Sequence, residues 1–235
     1  MYRTDTTSLK QNVRFVNERF FAAWSVEMAY ILGFFAADGT MYTNRRGAHY
    51  IEFVSTDREL IEKVQVLLNA RQKIRTVTNP EPWRTAYRLQ IGSAALYRDL
   101  EILGFQPRKS NVMRFPIVPV RYLKDFVRGY LDGDGCVYFG QHQRNDRPSS
   151  TSIFRVQFTS GSKIFLEKLC EALTPRLRGG FITKKNSGYE LVYSKHDSIK
   201  LLAFLYEGVP TGQLLERKRQ VFFRAINHYR HVLPV

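Results

Sequence analysis

The 235-residue sequence contains only two cysteines, Cys136 and Cys170, and no long hydrophobic segment. Two cysteines are too few for a disulfide framework and show no metal-ligand spacing, which fits a reducing compartment. No apolar run approaches the ~18 residues that a membrane-spanning helix needs. The N-terminal stretch MYRTDTTSLKQNVRF also lacks an apolar signal core. We therefore expect an intracellular protein, in a prokaryotic cytoplasm or an organelle, rather than a secreted one.

Acidic residues are scarce relative to basic ones: 21 Asp and Glu stand against 36 Lys and Arg, a net charge of +15. Such an excess predicts attraction to a polyanion, either nucleic acid or an anionic membrane surface. A membrane-surface protein would carry its basic residues on an amphipathic helix. Here most of them lie in strand-like and loop stretches, so the sequence favours nucleic acid as the partner and no membrane.

An internal repeat organises the chain. The stretch ILGFFAADGTMY begins at residue 31, and VRGYLDGDGCVY begins at residue 127, an offset of 96; both contain G-x-x-x-x-D-G. Apolar residues at helical spacing precede each Asp-Gly, and glycine is a common residue just after a helix. Each copy therefore predicts a helix that ends at Asp38-Gly39 or Asp134-Gly135 and turns into a strand.

The similarity continues beyond the two motifs. YIEFVSTDRELIEKVQVLL (50–68) aligns with RVQFTSGSKIFLEKLCEAL (155–173), and both predict a strand followed by an amphipathic helix. The offset has grown to 105, which indicates a nine-residue insertion within 140–152. A hairpin and a short apolar helix complete each half.

The fold prediction is accordingly α+β, with two pseudo-symmetric αββαββα repeats. We expect the first repeat at residues 1–105, a proline-containing linker at 106–122, and the second repeat at 123–235, ending in a basic helix that packs Val221, Phe222 and Ile226. Two copies of a mixed unit suggest a dimer fused into one chain.

Small residues mark the surface where the two motif helices should meet. Gly33 and Gly129 lie inside helices, where glycine costs about 1 kcal/mol relative to alanine. With Ala37 and Gly133 four residues further on, each helix carries a small-x-x-x-small stripe that permits close backbone packing. We therefore expect the two helices to pack together at Gly33, Gly129 and Gly133.

Such packing would bring Asp38 and Asp134 together. Two close carboxylates repel, and each faces the negative end of its own helix dipole, so the pair favours bound divalent cations. Mg²⁺ prefers oxygen ligands, and acids holding it beside a basic surface are typical of phosphodiester hydrolysis. An isolated Asp-Gly is more often a plain turn, but two matched copies in a repeat favour a site.

The stretches ILGFFAADG (31–39) and VRGYLDGDG (127–135) resemble the two motifs of the single-chain LAGLIDADG homing endonucleases. This resemblance implies a saddle of two four-stranded antiparallel sheets over duplex DNA, with the motif helices packed at the interface. It also implies a monomeric, site-specific endonuclease, often intron-encoded, that reads a long target and cuts both strands with Mg²⁺. Asp38 and Asp134 stand at the family's metal-binding position.

Other roles on the same scaffold stay open. Some proteins of this kind are RNA-splicing maturases or non-catalytic DNA-binding regulators, although retention of both acids favours the enzyme. Residue 1 is neither Cys nor Ser, and no His-Asn ends the chain, so we expect a free-standing chain rather than part of an intein.

Three residues near the motifs depart from a symmetric pattern. Asp132 has Ala36 as its counterpart, and we expect it to be a cap or an interdomain hydrogen-bonding group rather than a ligand. Arg128 stands where the family name has Ala, and should lie on an exposed flank of the helix or reach a phosphate. Cys136 is expected to be a small buried apolar residue.

Two lysines are candidates for a catalytic role. Lys218 in LLERKRQVFF lies four residues before Phe222 and resembles the family's late lysine, and Lys109 in PRKSNVMRFP lies at the corresponding junction of the first half. The resemblance implies that they order water or stabilise developing charge. A solvated basic turn or a simple phosphate contact remains an alternative for each.

Alternation along the strands predicts that one sheet face packs on helices and the other faces DNA. Arg, Gln and Asn can bond base edges in the major groove, whereas Arg and Lys at the rims hold phosphates. For any single residue a plain surface position stays open. The candidates are Tyr42, Asn44, Arg45, Arg46, Glu52, Arg75, Arg88 and Gln90 in the first half, and Tyr138, Gln141, Gln143, Arg144, Arg155, Gln157, Lys185, Glu190 and Lys195 in the second.

Overall fold

The computed structural model describes residues 15–78, 85–143, 150–210 and 215–230. The first half follows the predicted order of elements. Its helices and strands are α1 (Val26–Asp38), β1 (Gly39–Thr43), β2 (His49–Ser55), α2 (Arg58–Leu67), β3 (Arg75–Val77), β4 (Ala86–Gly92) and α3 (Ala94–Ile102).

The second half repeats this order and adds one helix. Its elements are α4 (Leu123–Asp134), β5 (Gly135–Gln143), β6 (Ser150–Ser160), α5 (Lys163–Leu173), β7 (Phe181–Lys185), β8 (Gly188–Tyr193), α6 (Lys195–Tyr206) and α7 (Glu216–Arg230). Two short 3₁₀ turns, Lys109–Asn111 and Val120–Tyr122, lie between the halves. The predicted αββαββα repeats are confirmed.

Each half forms a four-stranded antiparallel sheet, with strand orders β1-β2-β4-β3 and β5-β6-β8-β7. Ile51 and Phe53 of β2 are fully buried, as are Val156 and Phe158 of β6. Because strand side chains alternate between faces, the other face of each sheet is left open. The predicted fold class is therefore confirmed.

Helices α1 and α4 pack against each other at the centre. Met28 to Ala36 of α1 are all buried, so this helix contacts protein on every side. The Ser25 hydroxyl accepts a hydrogen bond from the Met28 amide at 3.0 Å and caps its first turn. Both motif helices end at a glycine with an extended backbone. At Gly39 a Cβ would lie 2.6 Å from the Phe35 carbonyl oxygen, so close approach, rather than a left-handed turn, requires glycine there.

The second half differs from the first by a longer hairpin and by α7. Strands β5 and β6 have 9 and 11 residues, whereas β1 and β2 have 5 and 7, so the insertion mainly lengthens this hairpin. Helix α7 buries Phe222 and packs Val221 and Ile226 against the core, as predicted. No helix in the described ranges is long and apolar enough to cross a membrane.

Candidate catalytic centre and DNA-facing surface

Asp38 and Asp134 are the last residues of α1 and α4, and the packing of these helices brings them together. A Cβ built on Gly133, the residue before Asp134, would lie 3.1 Å from Asp38 Oδ2. Burial, with repulsion from Asp134, raises the pKa of Asp38 to about 7. Burial also raises the pKa of Asp134, although Lys109 and Lys218 act to lower it. The Asp134 carboxylate therefore lies near enough to oppose ionisation of Asp38.

Lys109 and Lys218 are buried beside this pair, with 6% and 2% of their surfaces exposed. Lys109 Nζ donates to the carbonyl oxygen of Ala36 at 2.9 Å. Lys218 Nζ donates to the carbonyl oxygens of Leu131 and, at 3.0 Å, of Asp132. Each ammonium thus binds the C-terminal carbonyls of the motif helix in its own half, where a helix dipole favours positive charge. A solvated surface turn is excluded for both lysines.

The surroundings of these two lysines lower the pKa values of their ammonium groups. Burial lowers the pKa of Lys109 to about 8, and Asp134 and Asp38 act in the opposite direction. Burial likewise lowers the pKa of Lys218 to about 8, opposed most strongly by Asp132. The centre therefore contains two acids with raised pKa values and two lysines with lowered ones, the pattern that functional sites often show.

Asp132 is buried and hydrogen-bonded across the interface. Its Oδ2 accepts from the hydroxyl of Tyr30 in α1 at 2.8 Å, so the expected interdomain hydrogen bond is confirmed. The expectations for Arg128 were wrong: its side chain is buried, 2.9 Å from Asp125 and 5.0 Å from the centre of the Tyr30 ring. This face of α4 packs on Tyr30, so Arg128 does not lie on an exposed flank of the helix.

The donor set at the centre fits a divalent cation such as Mg²⁺. Among the described residues, neither the Asp38 nor the Asp134 carboxylate accepts a hydrogen bond, and both are only half-buried. The described ranges contain no group of three or more His, Cys, Asp or Glu that could enclose a metal. Two carboxylates with open coordination positions suit hard cations that retain water and bind phosphate oxygens.

The open face of the first sheet carries a connected set of polar and aromatic side chains. Gln90 Nε2 donates to the Tyr42 hydroxyl, and the Tyr42 ring stacks on that of Tyr50 at 5.4 Å. Arg88 lies 3.9 Å from Glu52 and pairs in register with Arg75. Tyr50 was missed in the sequence, although it lies two residues before Glu52 on the same strand and so on the same face.

The β1–β2 turn holds three other candidates. The Asn44 side-chain oxygen accepts from the amides of Arg46 and Ala48 at 2.9 and 3.0 Å, so Asn44 shapes the turn. Arg45 and Arg46 are in this exposed turn. The turn therefore presents the two arginines beyond the end of the sheet.

The open face of the second sheet is similar in chemistry. The Arg155 guanidinium lies 5.2 Å from the centre of the Tyr138 ring. Glu190 accepts from Gln157 Nε2 at 3.2 Å and lies 3.2 Å from Lys185 Nζ. His142 was missed; its Nε2 lies 2.6 Å from the Tyr138 hydroxyl. Its position four residues after Tyr138 in one strand was the available signal.

Three of the residues predicted to face DNA do not lie on an open sheet face. In the register of β5, Gln141 and Gln143 share the side of Phe139, whose ring contacts His228 and Tyr229 of α7, so they do not share the open face. Lys195 begins α6, not a strand, and its Nζ lies 4.2 Å from the centre of the Tyr229 ring. Arg144 lies outside the described residues.

Cys136 was also assigned wrongly. It is exposed and pairs in register with Gln157, on the open face of the second sheet. The next residue, Val137, takes the buried position of this strand, and alternation therefore turns Cys136 outward.

Comparison with solved structures identifies the fold. The LAGLIDADG meganuclease I-AabMI bound to uncleaved DNA has a TM-score of 0.59 at 12% identity, covering 86% of this chain and 91% of that one. The I-LtrWI LAGLIDADG homing endonuclease bound to target DNA has a TM-score of 0.57 at 15% identity, covering 91% and 92%. I-SmaMI bound to uncleaved DNA in the presence of calcium ions has a TM-score of 0.52 at 14% identity, covering 89% and 97%.

Comparison of sequences gives one relative and one family model. The probable translation initiation factor IF-2 of Thermococcus kodakarensis is 33% identical over 132 residues, 54% of this chain. The alignment spans only 10% of that relative's length. A family model described as a LAGLIDADG-like domain matches residues 25–104. The family match thus covers the first repeat, and the chain as a whole shares the two-repeat fold of these solved LAGLIDADG meganucleases.

Proposed function

We propose that this protein is a site-specific endonuclease that cuts both strands of duplex DNA and depends on Mg²⁺. The observation that carries the proposal is the pair formed by Asp38 and Asp134, whose carboxylates meet at the ends of two packed helices without hydrogen-bond partners among the described residues. This pair costs stability in isolation, because burial and mutual repulsion oppose ionisation. A bound divalent cation would offset that cost.

The two acids and the two lysines have different roles at this centre in the proposal. The carboxylates of Asp38 and Asp134 would hold the cation, whose charge would attract the scissile phosphates. Mg²⁺ bound there would activate a water molecule and stabilise the leaving oxygen. Lys109 and Lys218, buried and fixed to the helix carbonyls, place positive charge where negative charge develops and order the attacking water.

The two sheets supply DNA binding in this proposal. Arg88 and Gln90 in the first sheet, and Arg155 and Gln157 in the second, have the chemistry to read base edges. The net charge of +15 strengthens attachment to the phosphate backbone. Since one chain carries both halves, a monomer could bind both half-sites of a long target. I-LtrWI and I-AabMI, which share this fold, were solved bound to DNA, which supports the proposal.

The proposal is tested with single variants on a target obtained by selection from a randomised DNA library. Asp38→Asn and Asp134→Asn should each reduce double-strand cleavage by more than about 1,000-fold, because each acid is needed by the shared centre. DNA affinity should stay within about threefold, since the open sheet faces are unchanged. Asp99→Asn in α3 is the matched control and should cleave normally.

Three outcomes would count against this function. Full cleavage by either variant would remove that acid from the mechanism. Tight, specific DNA binding by the wild-type protein with no cleavage in Mg²⁺ would instead favour a non-catalytic regulator. Assisted splicing of an intron RNA would favour a maturase.

A further inference from the structure

The segment that carries Lys218 is attached to the opposite half of the molecule. Its neighbour Arg217 donates from Nε to both Asp57 oxygens, at 3.1 and 3.0 Å, and from Nη2 to Asp57 Oδ2 at 2.6 Å. Asp57 precedes α2 in the first half, whereas Lys218 donates to α4 in the second half. The first turn of α7 is thus held from both halves at once.

The segment that carries Lys109 shows the reverse arrangement. Lys109 donates to α1 of the first half, and four residues later the Met113 carbonyl oxygen accepts from the Ser162 hydroxyl at 2.7 Å. A Cβ on Gly161 would lie 2.5 Å from Asn111 Oδ1 and 2.6 Å from the Ser110 carbonyl oxygen. Gly161 and Ser162 precede α5 of the second half, so this segment also bridges the halves.

The two attachment points are equivalent positions of the repeat. Asp57 and Ser162 are separated by the same offset of 105 that aligns residues 50–68 with 155–173. Each is the residue before a helix, and each amide donates at 3.1 Å to a serine hydroxyl two residues earlier, Ser55 or Ser160. The same position of the repeat therefore contacts the other half of the molecule twice. Asp57 does so through an ion pair with Arg217, and Ser162 does so through a neutral hydrogen bond to the Met113 carbonyl oxygen.

We propose, resting on the endonuclease function above, that these junctions position the two lysines. Arg217 and Asp57 position Lys218, and the Gly161–Ser162 junction positions Lys109, each for the cleavage of one DNA strand. A displacement of about 1 Å can cost about 100-fold in rate, so small movements of either segment matter. Arg217 is 56% exposed, and an exposed ion pair contributes little to the stability of the fold. Its loss should therefore move Lys218 without unfolding the protein.

The first experiment measures strand-specific cleavage of a supercoiled plasmid that carries the selected target. Arg217→Ala should cut one strand about tenfold more slowly and accumulate nicked circles, while the other strand is cut within about twofold of the wild-type rate. Charge reversal in the double variant Asp57→Arg/Arg217→Asp should restore much of the lost rate. Arg224→Ala, an exposed arginine of the same helix, is the control and should cut both strands normally.

The second experiment perturbs the equivalent junction. Gly161→Ala places a methyl group where Ser110 and Asn111 now lie, so the Lys109 segment must shift. We expect nicked circles again, but with the slow cleavage on the opposite strand. Equal slowing of both strands by either variant would overturn the positioning role. A defect confined to DNA affinity would instead make Arg217 a phosphate contact.

A third measurement does not depend on cleavage. In the DNA-free protein, modification of Lys218 by an amine-reactive reagent, followed by mass spectrometry, should be several-fold faster in Arg217→Ala than in wild type, with Lys109 unchanged. Unchanged labelling of Lys218 would overturn the inference even if the protein is an active nuclease. Faster labelling in a protein that cuts no DNA would leave the positioning contact intact and overturn the proposed function alone.

Discussion

Gly33 and Gly129 occupy reciprocal positions in the contact between α1 and α4. A Cβ on Gly33 would overlap the Phe126 carbonyl oxygen and lie 2.9 Å from the Tyr130 amide nitrogen. A Cβ on Gly129 would overlap the Tyr30 carbonyl oxygen and lie 2.9 Å from the Phe34 amide nitrogen. The two helix backbones therefore touch at equivalent points, which places the acids at their C-terminal ends side by side.

Replacing either glycine by alanine should destabilise the protein strongly. In Gly33→Ala or Gly129→Ala the new methyl group meets backbone atoms that cannot move aside, so we expect a loss of at least about 3 kcal/mol, the upper end for overpacking. Chemical denaturation measures it. Gly92→Ala, whose methyl group would meet only the Tyr50 ring at 3.2 Å, should cost less than about 1 kcal/mol. Equal stability of Gly33→Ala and wild type would contradict the packing described here.

The buried pair Arg128–Asp125 gives a second stability prediction. Arg128 Nε and Nη1 and Asp125 Oδ2 have no hydrogen-bond partner in the described part of the chain. Asp125→Ala should cost about 3–5 kcal/mol, because it leaves a buried guanidinium without its counterion. The double variant Asp125→Leu/Arg128→Met should recover most of this loss. Removing the exposed pair Arg58–Glu62 is the control and should leave the free energy of unfolding almost unchanged.

The raised pKa of Asp38 predicts how stability of the metal-free protein depends on pH. A carboxyl whose pKa is higher in the folded state stabilises the fold below about pH 4, and this contribution is lost as pH rises towards 7. Asp38→Asn should therefore become more stable than wild type over this range, by roughly 1–3 kcal/mol above pH 7 after allowance for solvent screening. Denaturation of both proteins in a chelator at several pH values checks it. A difference that does not change with pH would contradict the assignment.

Mg²⁺ should stabilise the protein increasingly as pH rises. Cations bind the ionised carboxylates, so protons compete with Mg²⁺ until the pH passes the raised pKa values of Asp38 and Asp134. The rise in melting temperature on adding Mg²⁺ should be small at pH 5 and larger at pH 8. It should be absent in the Asp38→Asn/Asp134→Asn double variant. Equal shifts at both pH values would argue against a carboxylate site.

Much of the fold was predictable because both halves repeat one pattern. The alternation at Ile51 and Phe53 recurs at Val156 and Phe158, and the glycines at 33 and 129 indicate where the helices meet. The proximity of Asp38 and Asp134 follows from that contact. Local periodicity and a repeat therefore suffice to place the central helices and the pair of acids.

Other features depend on contacts between distant parts of the chain and could not be read from spacing. Arg128 looks like a surface residue in sequence, but the Tyr30 ring of the other motif helix covers it. The burial of Lys109 and Lys218 depends on segments that cross between the halves through Ser162 and Asp57. Where strand register alone decided the outcome, as at Cys136 and Gln141, stricter use of alternation would have found it.

Cleavage of a randomised DNA library in Mg²⁺, with sequencing of the cut ends, shows whether Asp38 and Asp134 form a Mg²⁺-dependent endonuclease centre. Wild-type protein should produce breaks on both strands at one recurrent target sequence, and chelation of Mg²⁺ should abolish them. The Asp38→Asn/Asp134→Asn double variant should enrich the same sequence by binding and leave it uncut. Recurrent cleavage by the double variant, or breaks that survive chelation, would contradict a split carboxylate centre formed by the two motif helices.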